Sequence, residues 1–161
     1  MVAQGIAQAC FGAGCFWGVQ LRFDQLEGVL KTSVGYMGGQ KDDPSYQEVC
    51  SDRTGHAEVV FVEYDSSKVS YESLLDLFFS LHDPTQKNRQ GVDIGSQYRS
   101  VIFYFDEKQH EVAMQKFMQL QRSGKYGDDL VTEIIPAMKF WPAEEYHQKY
   151  LEKKGLGSCS L

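Results

Sequence analysis

The order in which the apolar pattern changes period between residues 6 and 105 restricts this chain more than any other feature of its sequence. Ile6–Phe11 is a short apolar run followed by Gly12, Ala13 and Gly14, the pattern of a strand ending in a tight turn. Val19, Leu21, Phe23 and Leu26 then recur at helical spacing, if coiling begins near Trp17. Val29–Tyr36 reads as a strand, stopped by Gly38 and Gly39. Past Pro44, Tyr46–Cys50 is too short for its period to decide between helix and loop. From Gly55 to Asp65 the residues alternate, with Ala57, Val59 and Phe61 on one face and Glu58, Val60 and Val62 on the other. Ser70 suits the N-cap of a helix carrying Leu74, Leu75, Leu77, Phe78 and Leu81, and Val101–Phe105 is a further strand. Strand, helix, strand, strand, helix, strand is the order of a ferredoxin-like split-βαβ core. Beyond it the pattern predicts a helix from about Glu107 to Arg122, with Val112, Met114, Phe117, Met118 and Leu120 facing inward. A short strand at Val131–Ile135 and a last helix over Ala143–Lys153 follow. The expected fold is α+β, a two-layer α/β sandwich with its sheet covered by helices.

With 161 residues the chain is expected to form a single catalytic domain over residues 1–161, large enough to bury a core without disulfides. A formal net charge of -6, with no clustered Lys or Arg, argues against a nucleic-acid partner. No apolar run approaches a membrane span, and nothing at the N-terminus resembles a signal peptide. The expectation is therefore a cytoplasmic protein. Its cysteines, at 10, 15, 50 and 159, lack the CxxC spacing of a structural zinc site. In a reducing compartment such scattered thiols are catalytic or incidental rather than stapling.

Cys15 stands out because Gly14 precedes it and Phe16, Trp17 and Gly18 follow. At a strand-to-helix junction the unpaired helix N–H groups and the dipole favour a thiolate. The bland alternative, a packing cysteine among core aromatics, is disfavoured by glycines that bring backbone and solvent near the sulfur. Glu58 shares its strand face with valines. It is either a desolvated carboxyl kept protonated, as a general acid must be, or an edge-strand glutamate facing water. Asp93, between Gly91 and Gly95, lies in a stretch from His82 to Gln97 that lacks periodicity, and such long loops are often functional. Asp93 is also an ordinary turn residue. Tyr46 and Tyr98 are equally open, and the histidines show no metal spacing. The tail 155–161, with two glycines and Cys159, is expected to be mobile. A second thiol on a tether suits a resolving role, although a terminal thiol without a role remains open. Cys50 has no such tether, and Cys10 on its apolar strand suits packing.

Several blocks taken in order resemble the A-type peptide methionine sulfoxide reductases. They are Gly14-Cys15-Phe16-Trp17-Gly18, Gly35-Tyr36 with Gly38-Gly39, Pro44 to Cys50, Thr54 to Val60, His82 to Thr85, Gln97 to Ser100 and Ala143 to Gln148. The resemblance implies reduction of methionine-(S)-sulfoxide, free or in proteins, with no cofactor and no metal. It implies that Cys15 is the nucleophile and that Phe16 and Trp17 hold the substrate methyl group. By the same likeness Glu58 protonates the sulfoxide oxygen, Tyr46 and Tyr98 place hydroxyls near it, and Asp93 binds polar parts of the substrate. Cys159 resembles the tail cysteine that forms a disulfide with Cys15, with thioredoxin or a similar dithiol as reductant; a monomer is expected. Departures are Gln20, where glutamate is usual, Val92, where asparagine is common, and a single tail cysteine. Two rivals use the same residues: a thiol peroxidase working through Cys15, and a non-catalytic module binding methionine-rich peptides through Phe16 and Trp17.

Overall fold

The computed structural model describes residues 5–155. Its elements are β1 (Ile6–Ala13), α1 (Phe16–Asp24), β2 (Val29–Met37), α2 (Tyr46–Cys50), β3 (Ala57–Asp65), α3 (Tyr71–Ser80), β4 (Arg89–Gln90) and β5 (Asp93–Ile94). A 3-10 turn at Ser96–Tyr98 leads to β6 (Ser100–Tyr104), α4 (Glu107–Ser123), β7 (Glu133–Pro136) and β8 (Trp141–Pro142). A second 3-10 turn at Glu145–His147 precedes α5 (Tyr150–Lys153). The main sheet has the order β7-β6-β1-β3-β2-β8. β3 lies antiparallel between β1 and β2, and β6 is antiparallel to β1, whereas β7 joins β6 in parallel. β1 and β2 therefore run the same way with β3 inserted between them. The fold is mixed α/β around this mixed sheet.

The alternation expected for β3 holds. Val60 and Val62 join Ala9, Phe11 and Ile102 in the core under α1, α3 and α4, built on Phe23, Leu74, Leu75, Phe78 and Ala113. Ala57, Val59 and Phe61 face the other way with Cys10, Met37 and Phe103, covered by Ile135, Ala137 and Phe140. By parity Glu58 belongs to the helix face. The helices start where their side chains can cap them: the Ser70 side chain accepts from the Ser73 amide and Asp106 accepts from Gln109, each worth about 1 kcal/mol.

Four expectations need correction. Met114 and Met118 are exposed; Gln109 and Ala113 are the buried positions of α4, with Val112 and Leu120 packed beside them. The helix lies on the core along a stripe narrower than its apolar content suggests, and Lys116 on its flank pairs with Glu72 and Asp76. The stretch 82–97 is not a plain loop, because it holds the β4–β5 hairpin. β8 carried no signal in its two residues. Finally, 143–153 is not one helix: the Gln148 amide accepts from Val34 N–H and donates to Val34 C=O, both at 2.9 Å. That side chain takes the place of a neighbouring strand, and Lys149 turns out of helical geometry with φ 54. The expected tail beyond Gly155, with Cys159, lies outside the described residues.

Where β2 meets β8 the backbones approach so closely that a Cβ on Gly35 would lie 2.3 Å from the Trp141 carbonyl oxygen. Gly35→Ala is expected to destabilise by about 1–3 kcal/mol through overpacking, lowering Tm by roughly 2–4 °C per kcal/mol, measurable by calorimetry. His82 supplies a second test. Its Nδ1 lies 2.8 Å from the Phe78 carbonyl oxygen and its Nε2 2.7 Å from Ser100 Oγ, which in turn contacts Thr132 Oγ1 at 2.8 Å. Burial pushes its pKa from 6.5 down to about 4. The unfolded chain therefore binds this proton first, and stability falls as pH drops from about 6.5 to about 4, by up to roughly 3 kcal/mol. Denaturant unfolding between pH 7 and 4 is expected to show that loss in the parent protein and a smaller one in His82→Gln.

Candidate active site

The turn from β1 into α1 needs Gly14, whose φ is +92, a left-handed conformation costly for residues with a Cβ. Cys15 follows as the N-cap of α1 and is half-buried. There the dipole and the first helical N–H groups favour a negative charge. One of those groups is already taken: the Phe16 N–H donates to Glu58 Oε1 at 3.2 Å. Glu58 is only 2 % exposed, on a strand with neighbours on both sides, which excludes the edge-strand reading. Its carboxyl is bonded to the amide immediately after Cys15.

An aromatic cluster lies beside this junction. The Phe16 ring is 5.9 Å from Tyr36, 6.4 Å from Tyr46 and 5.3 Å from His147. Trp17 stacks on Tyr150 at 3.9 Å and 14°, and its indole Nε1 donates to His147 Nδ1 at 3.0 Å. An imidazole accepting at Nδ1 is neutral with its proton on Nε2. Burial lowers the His147 pKa in the same sense, against the pull of Glu144. Glu144 ties the cluster together, since Oε1 accepts from the Tyr36 hydroxyl and Oε2 from the Tyr46 amide, both at 3.0 Å. Burial works to raise its pKa, yet these bonds hold it below the usual carboxylate value.

Three phenols surround Glu58. Tyr36 is its cross-strand partner. Burial first, then the charges of Glu144 and Glu58, push the Tyr36 hydroxyl up. Tyr46 is raised by burial, by a hydrogen bond to Cys50 and by Glu58. Tyr98 is raised by burial and by Glu58, Cys50, Asp93 and Cys15. All three stay protonated near neutrality and can donate a hydrogen bond.

On its other side Cys15 borders a cleft of about 440 Å³, shared with Gly18, Arg22, His82, Gln90 and Asp93. The hairpin wall is held by its own side chains. Gln90 accepts from the Asp83 amide at 2.9 Å and donates to its carbonyl at 2.6 Å, and Arg89 donates to the Gly91 carbonyl. Ser96 bonds Asp52, and Arg99 donates to the Ser96 and Gly55 carbonyls. Asp93 is thereby set at the rim, half-buried.

The residues expected from sequence thus meet in one place: Cys15, Phe16, Trp17 and Glu58 at the junction, Tyr46 and Tyr98 around the carboxyl, and Asp93 across the cleft. Cys159 lies outside the described residues. Cys50 is exposed, while Cys10 is buried with its pKa pushed up by desolvation, as a packing thiol should be. Sequence reasoning did not give Tyr36, Glu144 and His147 their places here. The available signal for Tyr36 was a tyrosine at a buried strand end opposite Glu58; for the other two it was a polar pair at residues 144 and 147 after Trp141. Among the described residues no group of three or more His, Cys, Asp or Glu is placed to hold a metal ion. A thiol at a helix start, a buried carboxyl, phenolic donors and an aromatic slot together suit nucleophilic attack coupled to proton delivery.

The chain is similar to known proteins along nearly its whole length. A family model described as peptide methionine sulfoxide reductase matches residues 7–161. MsrA of Geobacter metallireducens is 56% identical over 155 residues, covering 96% of each chain. Reduced Mxr1 from Saccharomyces cerevisiae superposes with a TM-score of 0.91 at 34% identity, over 98% of this chain and 91% of that one. Methionine sulfoxide reductase A of Corynebacterium diphtheriae gives 0.85 at 37% identity, over 98% and 79%. The family match over residues 7–161, with a relative 56% identical across 96% of the chain, places the chain among the peptide methionine sulfoxide reductases.

Proposed function

We propose that this reductase turns over methionine-(S)-sulfoxide, free or within proteins, through the thiolate of Cys15, in the service of protein repair. Cys15 sulfur attacks the sulfoxide sulfur while Glu58 delivers a proton to the departing oxygen. The oxygen passes to Cys15 as a sulfenic acid, methionine is released, and the cysteine sulfur is oxidised by the two electrons the sulfoxide gains. Tyr46 and Tyr98 donate to the same oxygen, Phe16 and Trp17 hold the methyl group, and Asp93 receives polar groups of the substrate. Cys159 then condenses with the sulfenic acid, expelling water and leaving a Cys15–Cys159 disulfide. A dithiol protein of the thioredoxin kind reduces that bond by exchange. Mxr1 has been seen in complex with Trx2, which supports a partner of this type.

The observation that most supports this reading is the 3.2 Å bond from Phe16 N–H to Glu58 Oε1, a buried carboxyl bonded to the residue after Cys15. The strand order β6-β1-β3-β2, with α1 and α3 as crossovers, supports assigning the centre of the fold to a ferredoxin-like split-βαβ core. A single catalytic domain over residues 1–161, acting as a monomer, belongs to the same proposal. A cycle that ends in dithiol reduction suits the reducing conditions of the cytoplasm.

Intact-mass analysis of reduced protein mixed with each sulfoxide epimer tests the chemistry. The S epimer is expected to leave the enzyme two hydrogens lighter as a disulfide, and the R epimer to leave it unchanged; equal reaction of both would sink the reading. Glu58→Gln should slow single-turnover methionine release by about 10²–10⁴-fold, the usual worth of a general acid. Cys159→Ser should release one methionine per enzyme and then fail to recycle with thioredoxin. Undiminished recycling would move the resolving role to another thiol.

A further inference from the structure

We propose that Arg22 is a specificity-determining residue that reads the side chain next to methionine sulfoxide in an oxidised polypeptide, favouring an acidic one. This rests on Cys15 being the attacking thiol. Arg22 lies on the α1 wall of the cleft that Cys15 borders, with the β4–β5 hairpin opposite. It is seven residues beyond Cys15, roughly 10 Å along the helix at 1.5 Å per residue. Helical side chains lean toward the N-terminus, so the guanidinium swings back toward the sulfur. Gly18, between them on the same wall, has no side chain to block the way. The remaining gap matches a step of one or two residues in an extended chain, at about 3.3 Å each.

Among the described residues the guanidinium is also uncommitted: Arg22 makes no ion pair there. The nearest carboxylate in sequence, Asp24, is engaged by Lys149 Nζ at 2.7 Å and by the Thr32 hydroxyl at 2.5 Å. Asp93 on the facing wall repels an acidic side chain and accepts N–H groups, so a substrate with a neighbouring carboxylate finds one favourable orientation: backbone amide toward Asp93, acid toward Arg22. The hairpin offers a polypeptide more than charge. Val92 and Ile94, flanking Asp93, are 79 % and 68 % exposed, an apolar rim that a free amino acid is too short to cover.

The test compares blocked peptides in which Glu, Gln or Lys stands directly before or directly after methionine-(S)-sulfoxide, with the free amino acid as a further substrate. In at least one set, kcat/KM is expected to follow Glu over Gln over Lys, about three- to fivefold per step at low ionic strength, as for an exposed charge pair. The spread should narrow at about 0.5 M salt. Arg22→Ala should abolish the spread through KM with kcat retained, Arg22→Lys should preserve its direction, and Arg22→Glu should reverse it. A flat profile in the parent enzyme, or one equal loss on all peptides in Arg22→Ala, overturns the proposal. If the loss appears only with free methionine sulfoxide, Arg22 reads the substrate's own carboxylate and the polypeptide assignment is overturned. Cys15→Ser provides the separate arm: turnover surviving there would remove the underlying reading, whatever the peptide series shows.

Discussion

The amide that opens α1 is satisfied by a carboxyl on the middle strand of the sheet, and much of the molecule exists to make that possible. A helix N-terminus presents N–H groups without intrahelical partners, and a buried carboxyl needs donors. Phe16 and Glu58 meet both needs at once. The bond ties β3 to α1 and brings together a thiol near residue 15 and an acid at residue 58. For Glu58 to be buried, β3 must have strands on both sides, and it does. Tyr36, Tyr46 and Tyr98 stand close enough for the Glu58 charge to raise each of their hydroxyls, and all three stay protonated near neutrality.

The segment from β8 to α5 closes the site from the far end of the described chain. β8 pairs with the end of β2, and the Ala143 amide donates to the Val34 carbonyl; beyond them side chains do most of the holding. Gln148 stands in for a strand against Val34, the Lys149 amide donates to Gln20 at 2.6 Å, and Glu144 joins Tyr36 to Tyr46. Gln20 works here as a two-way group: its amide nitrogen donates to Thr32 while its oxygen receives the Lys149 amide. A carboxylate could accept but not donate. The aromatic slot is thus assembled from both ends of the chain, Phe16 and Trp17 from one and His147 and Tyr150 from the other.

The hairpin side is built differently. Local hydrogen bonds close short rings between Asp83 and Gln90 and between Arg89 and Gly91, while Ser96 bonds Asp52 and Arg99 donates to the Gly55 carbonyl. His82 anchors the start of the segment through Phe78 and Ser100. Asp93 therefore reaches the cleft from a wall tied to α3, β6 and the segment before β3. Two separately held walls thus meet at Cys15, the aromatic cluster on one side and the hairpin cleft on the other.

Element order, the Cys15 junction and the alternation of β3 were legible because each depends on neighbours within a few positions: a period of two or 3.6, a glycine before a turn, a serine before a helix. Cys15, Phe16 and Trp17, which the structure gathers at one junction with Glu58, stood out for the same reason, in a short block with unusual local company. What could not be read there depends on partners far along the chain. Nothing near residue 148 says that its amide will replace a strand beside Val34, so a helix was expected where the chain breaks at Lys149. Nothing near residue 114 says how narrow a stripe of α4 the sheet will cover, so Met114 and Met118 were expected inside. The same holds for Tyr36 and His147, whose places were decided by packing across the sheet. Local periodicity sets which elements form; burial and hydrogen-bond satisfaction, which are properties of the closed tertiary structure, choose the face each presents and the partner each polar group finds.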